Sequence, residues 1–198
     1  MRPSAVLLAA SLTLLAPYAT GTPPRAPDLS WLDRSALRAG QVEIRTGKDG
    51  PRIVTVNAAI QIKASPKAIW KILTACQIAP KYVSNVISCS LVQTAADGRS
   101  QVFVQKVKPA FFLPTFEQVF RLHYYPYTRI DVARVSGPVA HMQGSSWLLL
   151  QADGSVILYH YLEVDPGFPI PRFFVRAALN RNIPRVLRAI RTEAESTH

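Results

Sequence analysis

From residue 86 to residue 165 the apolar residues of this chain recur at almost every second position. That period is typical of β-strands with one buried face, and turn residues divide the stretch into six strands. Prolines and a glycine at 166–171 end the pattern, and helical spacing then continues to about Glu195. The pattern predicts an antiparallel meander followed by one long helix.

The segment before the meander adds two strands and two short helices. Residues 41–46 and 53–62 alternate as strands on either side of a turn. Ser65 and Pro66 match the cap and first position of a helix, and Pro80 marks its end or the start of a second short helix. Strands and helices segregated in this way indicate an α+β domain.

The first residues have the pattern of a secretory signal. Arg2 precedes an uncharged apolar run that is shorter than a lasting membrane anchor, and small residues follow it. We therefore divide the chain into a signal peptide (1–21), a proline-rich spacer with a short helix (22–40) and one domain (41–195). An uncleaved anchor is the alternative to a cleaved signal. The expected location is exported, either periplasmic or secreted.

The composition limits the partners and the chemistry. The 198 residues include 23 Lys and Arg against 12 Asp and Glu, a formal net charge of +11. A basic exported protein can lie near anionic lipid, a cell-wall polymer or an acidic protein, or simply have a solvated basic surface. Nucleic acid is not an expected partner after export. The sequence has no nucleophile elbow, phosphate-binding loop or cofactor motif, so no cofactor and no catalytic residue is predicted.

Cys76 and Cys89 are the only two cysteines. No histidine lies at a ligand-like spacing from either one, so no metal site is predicted. In an oxidising compartment the two can form a disulfide, and the alternative is a pair of buried, reduced thiols.

Four strings of residues resemble one known superfamily. They are 64–70 (ASPKAIW), 82–86 (YVSNV), 144–147 (GSSW) and 162–173 (LEVDPGFPIPRF). Together with the order of elements they resemble START-like (SRPBCC) proteins, in the branch of coenzyme-Q-binding START proteins and polyketide cyclase/dehydrase-like proteins. The resemblance implies the helix-grip fold, a curved antiparallel sheet wrapped around a long C-terminal helix. It also implies a cavity between sheet and helix for a lipid, a quinone or another apolar molecule.

The last hairpin predicts part of the cavity wall. A turn about Asp153 and Gly154 pairs Trp147 with His160 on the inner face of the sheet. His160 is then either a polar group that orients a ligand or a core histidine bonded to its surroundings. The outer face of this hairpin is apolar as well. It is either covered by the N-terminal segment around Trp31 and Leu37 or free for a partner or membrane.

The last helix presents two alternatives. An apolar stripe from Val175 to Ile190 predicts the face that packs on the sheet, and this alignment also turns Arg176 inward. Arg176 can then pair an anionic headgroup at the cavity mouth, with Phe173 and its neighbour facing a membrane. Alternatively the helix kinks before Pro184 and turns Phe173 inward. The loop at 110–113 is either a lid or is tucked onto the core.

These predictions define a cavity and three candidate functions. The predicted lining residues are Trp70, Phe116, Phe120, Trp147, His160, Leu162, Phe173 and Arg176. The first function is an exported, non-enzymatic binder or carrier of a lipid, quinone or other apolar small molecule. The second is a cyclase- or hydratase-type enzyme that uses the same cavity. The third is a protein-interaction module that uses the outer face of the last hairpin.

Overall fold

A computed structural model describes residues 27–108, 114–167 and 169–196 of the chain. The predicted signal peptide at 1–21, the start of the spacer and the loop at 110–113 lie outside the described residues. Within these described residues, eight strands and four helices form close to the predicted segments. The strands are β1 (Glu43–Asp49), β2 (Ile53–Ile62), β3 (Val86–Thr94), β4 (Ser100–Val107), β5 (Phe116–Tyr125), β6 (Arg129–Ser136), β7 (His141–Leu150) and β8 (Val156–Asp165). The helices are α1 (Arg34–Arg38), α2 (Pro66–Thr74), α3 (Ala79–Tyr82) and α4 (Arg172–Ser196), with a 3₁₀ turn at Cys76–Ile78.

The strands form one antiparallel sheet in the order β1-β2-β8-β7-β6-β5-β4-β3. The last strand, β8, lies between β2 and β7 and so joins the N-terminal hairpin to the meander. Because β1 and β3 are edges, the sheet does not close into a barrel. With the long α4 packed against it, the sheet has the predicted α+β helix-grip architecture.

The inner face of the sheet holds the main core. Alternate residues of β2, from Val54 to Ile62, are fully buried, and those of β8 continue the same face. Helix α2 begins where predicted, since the Ser65 hydroxyl accepts a hydrogen bond from the Ala68 amide at 3.2 Å. The C-terminal half of α4 packs into this core through Leu187 and Ile190.

The N-terminal segment covers the outer face of the last hairpin. Trp31, Leu32 and Leu37 pack there with Trp147 and Tyr159. The rings of Trp31 and Trp147 lie 6.4 Å and 5.7 Å from that of Tyr159, both edge to face. Of the two alternatives for this apolar face, cover by the chain itself is the one observed.

The predicted register of β7 against β8 is wrong by one residue. Trp147 pairs with Tyr159, and Ser146 pairs with His160. The loop contains three residues rather than two, because the Gln151 amide donates to the Ser155 carbonyl at 2.8 Å across it. A three-residue loop places its last residue in the left-handed region, as Gly154 is with φ of 81°. A shift of one residue moves every β7 side chain to the other face, so Trp147 lies outside the predicted cavity.

In the described part of the chain, none of the helices combines the length and the apolar character needed to span a bilayer.

Candidate functional site

The inner face carries two apolar clusters that do not merge. One cluster centres on β2, β8, α2 and α4, and the other centres on Phe103 and Phe120, which stack 5.8 Å apart. Between them, part of the inner face of β5, β6, β7 and β8 carries half-buried side chains, several of which pack against one cluster or the other. We call this strip and the space above it the inner groove. Its lining residues are Leu122, Val132, Met142, Ser146, His160 and Leu162.

The position of α4 explains why the groove stays open. The helix packs against β1, β2, α2 and α3 rather than across the centre of the sheet. Its apolar stripe behaves as predicted towards the C-terminus, where Leu187 is 4% exposed. Towards the N-terminus the same stripe is only half-buried at Leu179 and Ile183, so the helix leaves apolar surface beneath it uncovered.

His160 lies in the middle of the groove floor. A hydrogen bond of 2.9 Å joins its Nδ1 to the Ser146 hydroxyl on β7. Burial lowers the pKa of His160 to about 4, because the surrounding protein disfavours the charged ring. The residue nevertheless keeps some accessible surface, so it is not sealed within the core. A neutral, hydrogen-bonded histidine can orient a carbonyl or hydroxyl group of a ligand.

One end of the groove is aromatic and packed. The ring of Trp70, on α2, contacts those of Tyr124 and Tyr127 at 5.9 Å and 5.7 Å. The Tyr124 hydroxyl donates to the Gln101 side chain at 2.8 Å, and burial raises the pKa of Tyr124 to about 12. Trp70 thus lies where the sequence places it, beside the inner core at the end far from the start of α4.

At the opposite end, at the start of α4, the phenylalanines face outward as in the first alternative, which excludes the assignment of Phe173 to the cavity. Phe173 is 63% exposed and Phe174 is 56% exposed, with their ring centroids 4.0 Å apart. Phe173 therefore does not line the groove, and α4 does not turn it inward ahead of Pro184. Arg176 is also exposed, and its Nε donates to the Thr46 hydroxyl at 3.4 Å, on edge strand β1. Val175 and Leu179 in the same turns are half-buried, so the two phenylalanines lie on the outward side of the helix.

The remaining predicted cavity residues lie on the inner face. Phe120 is 9% exposed and belongs to the second apolar cluster, and Phe116 precedes it by four residues on the same face of β5. Leu162 borders the groove beside His160. Cys76 and Cys89 are joined by a disulfide, which ties the turn after α2 to edge strand β3 beside the Phe103 and Phe120 cluster.

Gln118 and Arg134 are polar residues of the inner face that were not predicted. Gln118 alternates with Phe116 and Phe120 on β5, and Arg134 alternates with Val132 on β6. The available signal was the alternation itself, because a polar residue in an otherwise apolar register is exceptional on a buried face.

Every carboxylate on the described strands points to the outer face. This follows from the register for Glu43, Asp49, Glu117, Asp131, Glu163 and Asp165. Glu163, for example, accepts hydrogen bonds from Gln143 at 2.6 Å and from His141 at 3.2 Å, on the side opposite His160. The inner groove is therefore apolar with a few neutral or basic groups and no strand acid.

A depression of about 480 Å³ lies outside the groove. Charged and polar side chains after the end of β2 and at the end of α4 line it, among them Lys63, Arg191 and Glu195. It shares no residue with the inner groove and offers little apolar surface, so we assign the ligand site to the groove.

Comparison with known proteins agrees with this architecture. The profile of a family described as "Polyketide cyclase / dehydrase and lipid transport" matches residues 62–191. No curated protein matches the sequence significantly.

Several solved structures share the fold at low sequence identity. The chain is similar to a STAR-related lipid transfer protein (fragment 25–204) from Xanthomonas axonopodis, with a TM-score of 0.67 and 14% identity over 77% of this chain and 93% of that one. It is also similar to a START superfamily protein from Mycobacterium smegmatis, with a TM-score of 0.63 and 17% identity over 73% and 99%. The Zhui aromatase/cyclase from Streptomyces sp. R1128 gives a TM-score of 0.62 and 18% identity over 72% and 94%. At these identities the likeness establishes the fold.

Proposed function

Because the chain belongs to the polyketide cyclase/dehydrase and lipid transport family, we propose that it binds and carries a lipid, quinone or other apolar small molecule in the inner groove. The observation that carries this proposal is the half-exposed apolar strip between two inner clusters that do not merge. The strip is mostly apolar and has few polar groups, as small-molecule sites usually do.

The energetics of such a site favour binding without chemistry. Covering the exposed surfaces of Leu122, Met142 and Leu162 gains roughly 25 cal/mol per Å² of apolar area removed from water. His160 and Ser146 then supply one polar contact that selects the orientation of the ligand. The groove has none of the strand carboxylates that an acid–base pair with His160 would use, which favours a binder over an enzyme.

An enzyme of the cyclase or hydratase type is the second candidate. It is favoured by the fold likeness to the Zhui aromatase/cyclase, whereas the low pKa of His160 counts against it. A histidine with a pKa of about 4 is a weak general base at neutral pH and is not protonated to act as an acid. The protein-interaction alternative is not proposed, because the N-terminal segment occupies the outer face on which it depends.

We further propose that the protein is exported and exchanges its ligand at an anionic membrane surface. The signal-like residues 1–21 and the Cys76–Cys89 disulfide support an oxidising compartment outside the cytoplasm. The exposed Phe173 and Phe174 at one end of the groove, beside Arg176, combine apolar side chains with positive charge. Such a combination favours a surface of anionic lipid.

The ligand proposal is tested by native mass spectrometry of the mildly purified protein. We expect added mass that denaturation releases and that extraction identifies as an apolar molecule. In the variant Val132→Trp the larger side chain fills the groove and removes the added mass. The matched control is Val135→Trp, because Val135 lies on the outer face of the same strand and is 42% exposed. This control should retain the added mass. Wild-type protein without bound mass, and without uptake from added lipid, contradicts the proposal.

The membrane proposal is tested by flotation with vesicles that contain phosphatidylglycerol. The double variant Phe173→Ser, Phe174→Ser should lose most of the binding. The matched control, Leu91→Ser with Val92→Ser, removes two side chains of similar exposure on edge strand β3 and should retain it. Equal binding by both double variants contradicts the proposed surface. Cell fractionation with mass measurement tests export, and a chain that retains residues 1–21 in the cytoplasm contradicts it.

A further inference from the structure

Two polar side chains on the inner face lack the partners that buried polar groups ordinarily have. Gln118 is 4% exposed, and neither its Oε1 nor its Nε2 has a hydrogen-bond partner within the described residues. Arg134 is half-buried, and its Nε is likewise buried without a partner in the part of the chain that the structure describes. A buried amide and a buried guanidinium nitrogen both destabilise the protein unless a partner is supplied.

The two side chains lie at one place in the fold. Arg134 pairs with Phe120 across β5 and β6, and Gln118 precedes Phe120 by two residues on the same face. The Arg134 Nη2 donates to the Gly137 carbonyl at 2.8 Å. A β-carbon on Gly137 would lie 2.6 Å from the Gln118 Oε1, so the absence of a side chain at Gly137 lets the amide approach. Both polar groups therefore adjoin Gly137, after the last groove residue of β6.

Among the described residues, no acidic partner balances the charge of Arg134. The strand carboxylates face outward, and no described acidic side chain forms an ion pair with Arg134. Within a half-buried apolar groove, a guanidinium without an acidic partner attracts an anion more strongly than it does in water. The guanidinium fork matches carboxylate and phosphate oxygens, and the Gln118 amide adds one further donor.

We propose that Arg134 and Gln118 form the polar end of the inner groove and bind an anionic oxygen group, a carboxylate or a phosphate, at the head of an apolar ligand. The apolar chain then extends past Met142 and His160 towards Trp70. This inference rests on the proposed function, because it names the class of ligand that the same groove takes. The proposal places the headgroup at Arg134 in the groove and no longer at Arg176, because Arg176 is exposed and bonded to edge strand β1.

Displacement of the neutral dye Nile red by three amphiphiles of equal chain length provides the test. They are dodecanoate, dodecyl phosphate and dodecanol, each added below its micelle concentration at neutral pH and physiological salt. We expect wild-type protein to bind at least one of the two anions about tenfold more tightly than dodecanol, as a charge-assisted contact of this kind predicts. In Arg134→Met this preference should fall to about twofold or less, while dodecanol binds within about threefold of wild type.

Matched variants separate the headgroup contact from general charge and from folding. Arg121→Met removes the same charge from the exposed outer face of β5 and should keep the wild-type preference. Gln118→Leu removes the amide without changing the charge and should lower the preference by a smaller factor. If Arg134→Met fails to fold, the ratio of anion affinity to dodecanol affinity is compared between the wild-type protein and Gln118→Leu. A lower ratio in Gln118→Leu supports the inference, and an unchanged ratio overturns it.

The outcomes distinguish this inference from the proposed function. Equal wild-type affinity for all three amphiphiles overturns the inference but is compatible with an apolar ligand in the groove. In that case water is the hydrogen-bond partner of the two polar groups. A preference that Arg121→Met removes and Arg134→Met keeps also overturns it. If the wild-type protein binds neither Nile red nor any of the amphiphiles, the proposed function fails and this inference with it.

Discussion

On the outer face of β7 and β8, Trp147, Ile157 and Tyr159 are each at most 8% exposed, because residues 29–37 pack over them. On the inner face of the same two strands, Met142 and Leu162 keep accessible surface although a 25-residue helix lies on that side. Both faces are apolar, so burial of apolar surface would favour cover on both. Among the described residues, the outer face is covered, whereas the inner face is covered only in part.

The difference between the two faces separates stability from binding. Surface that the chain buries by itself contributes to the free energy of folding, and surface left open can contribute to the free energy of binding a ligand. Substitutions on the outer face should therefore change mainly the stability of the protein. Substitutions in the inner groove should change mainly its affinity for apolar molecules.

The largest effect is expected on the outer face. Leu37 is 1% exposed in the cluster under the N-terminal segment, so Leu37→Ala should lower the free energy of unfolding by about 3 kcal/mol. Chemical denaturation measures the loss. Leu150→Ala, whose parent side chain is 64% exposed, should change it by less than about 0.5 kcal/mol. Comparable losses in the two variants would contradict the assignment of the outer cluster to the folded core.

A smaller effect follows from His160 and depends on pH. Its pKa is about 4 in the folded protein against 6.5 in an unfolded chain, so the unfolded state binds a proton first as the pH falls. The stability of the wild-type protein should therefore fall by about 2 kcal/mol between pH 6.5 and pH 4.5, with no contribution from His160 above that range. His160→Leu lacks this titration, so its free energy of unfolding should fall by about 2 kcal/mol less than that of the wild-type protein between the two pH values. Chemical denaturation at both pH values measures the difference. A variant with the wild-type slope would refute a buried, neutral His160.

The smallest change in stability is expected in the groove itself. Leu162→Ala removes a side chain that is only half-buried and should lower the free energy of unfolding by about 1 kcal/mol or less. The same substitution should weaken the binding of Nile red several-fold, because the ligand loses the apolar surface that it covers. Fluorescence titration measures this loss. Weak destabilisation with unchanged affinity would show that Leu162 does not border the ligand.

Much of the fold was predictable from the sequence because it depends on local signals. The period of two from β3 to β8 and the Ser65-Pro66 cap of α2 gave the elements, and the resemblance to START-like proteins gave their arrangement. The family match confirms that resemblance. The helical spacing after residue 171 likewise predicted α4 and its buried residues Leu187 and Ile190.

The site was harder to predict for two reasons. It depends on the strand register to a single residue, and on which side chains in the first turns of α4 face the sheet. The turn at Gly154 contains one residue more than predicted. The side chains of β7 therefore face opposite to the prediction, with Ser146 in the groove and Trp147 outside it. Phe173 was assigned to the cavity for the case in which α4 kinks before Pro184, whereas its side chain is 63% exposed and faces outward. Arg134 and Gln118 were missed because their unpaired state appears only when neighbouring strands are in place.

The positions of the three tryptophans allow the most direct test of the central claim, that an apolar ligand enters the inner groove. Trp70 borders the inner core, whereas Trp31 and Trp147 lie on the outer face. Titration with dibrominated stearic acid, whose bromines quench indole fluorescence on contact, is followed in two variants. Trp31→Phe with Trp147→Phe retains only the inner reporter, and Trp70→Phe retains only the outer pair. We predict strong, saturable quenching of Trp70 and little quenching of the outer pair; equal quenching of both, or quenching of the outer pair alone, would contradict the account.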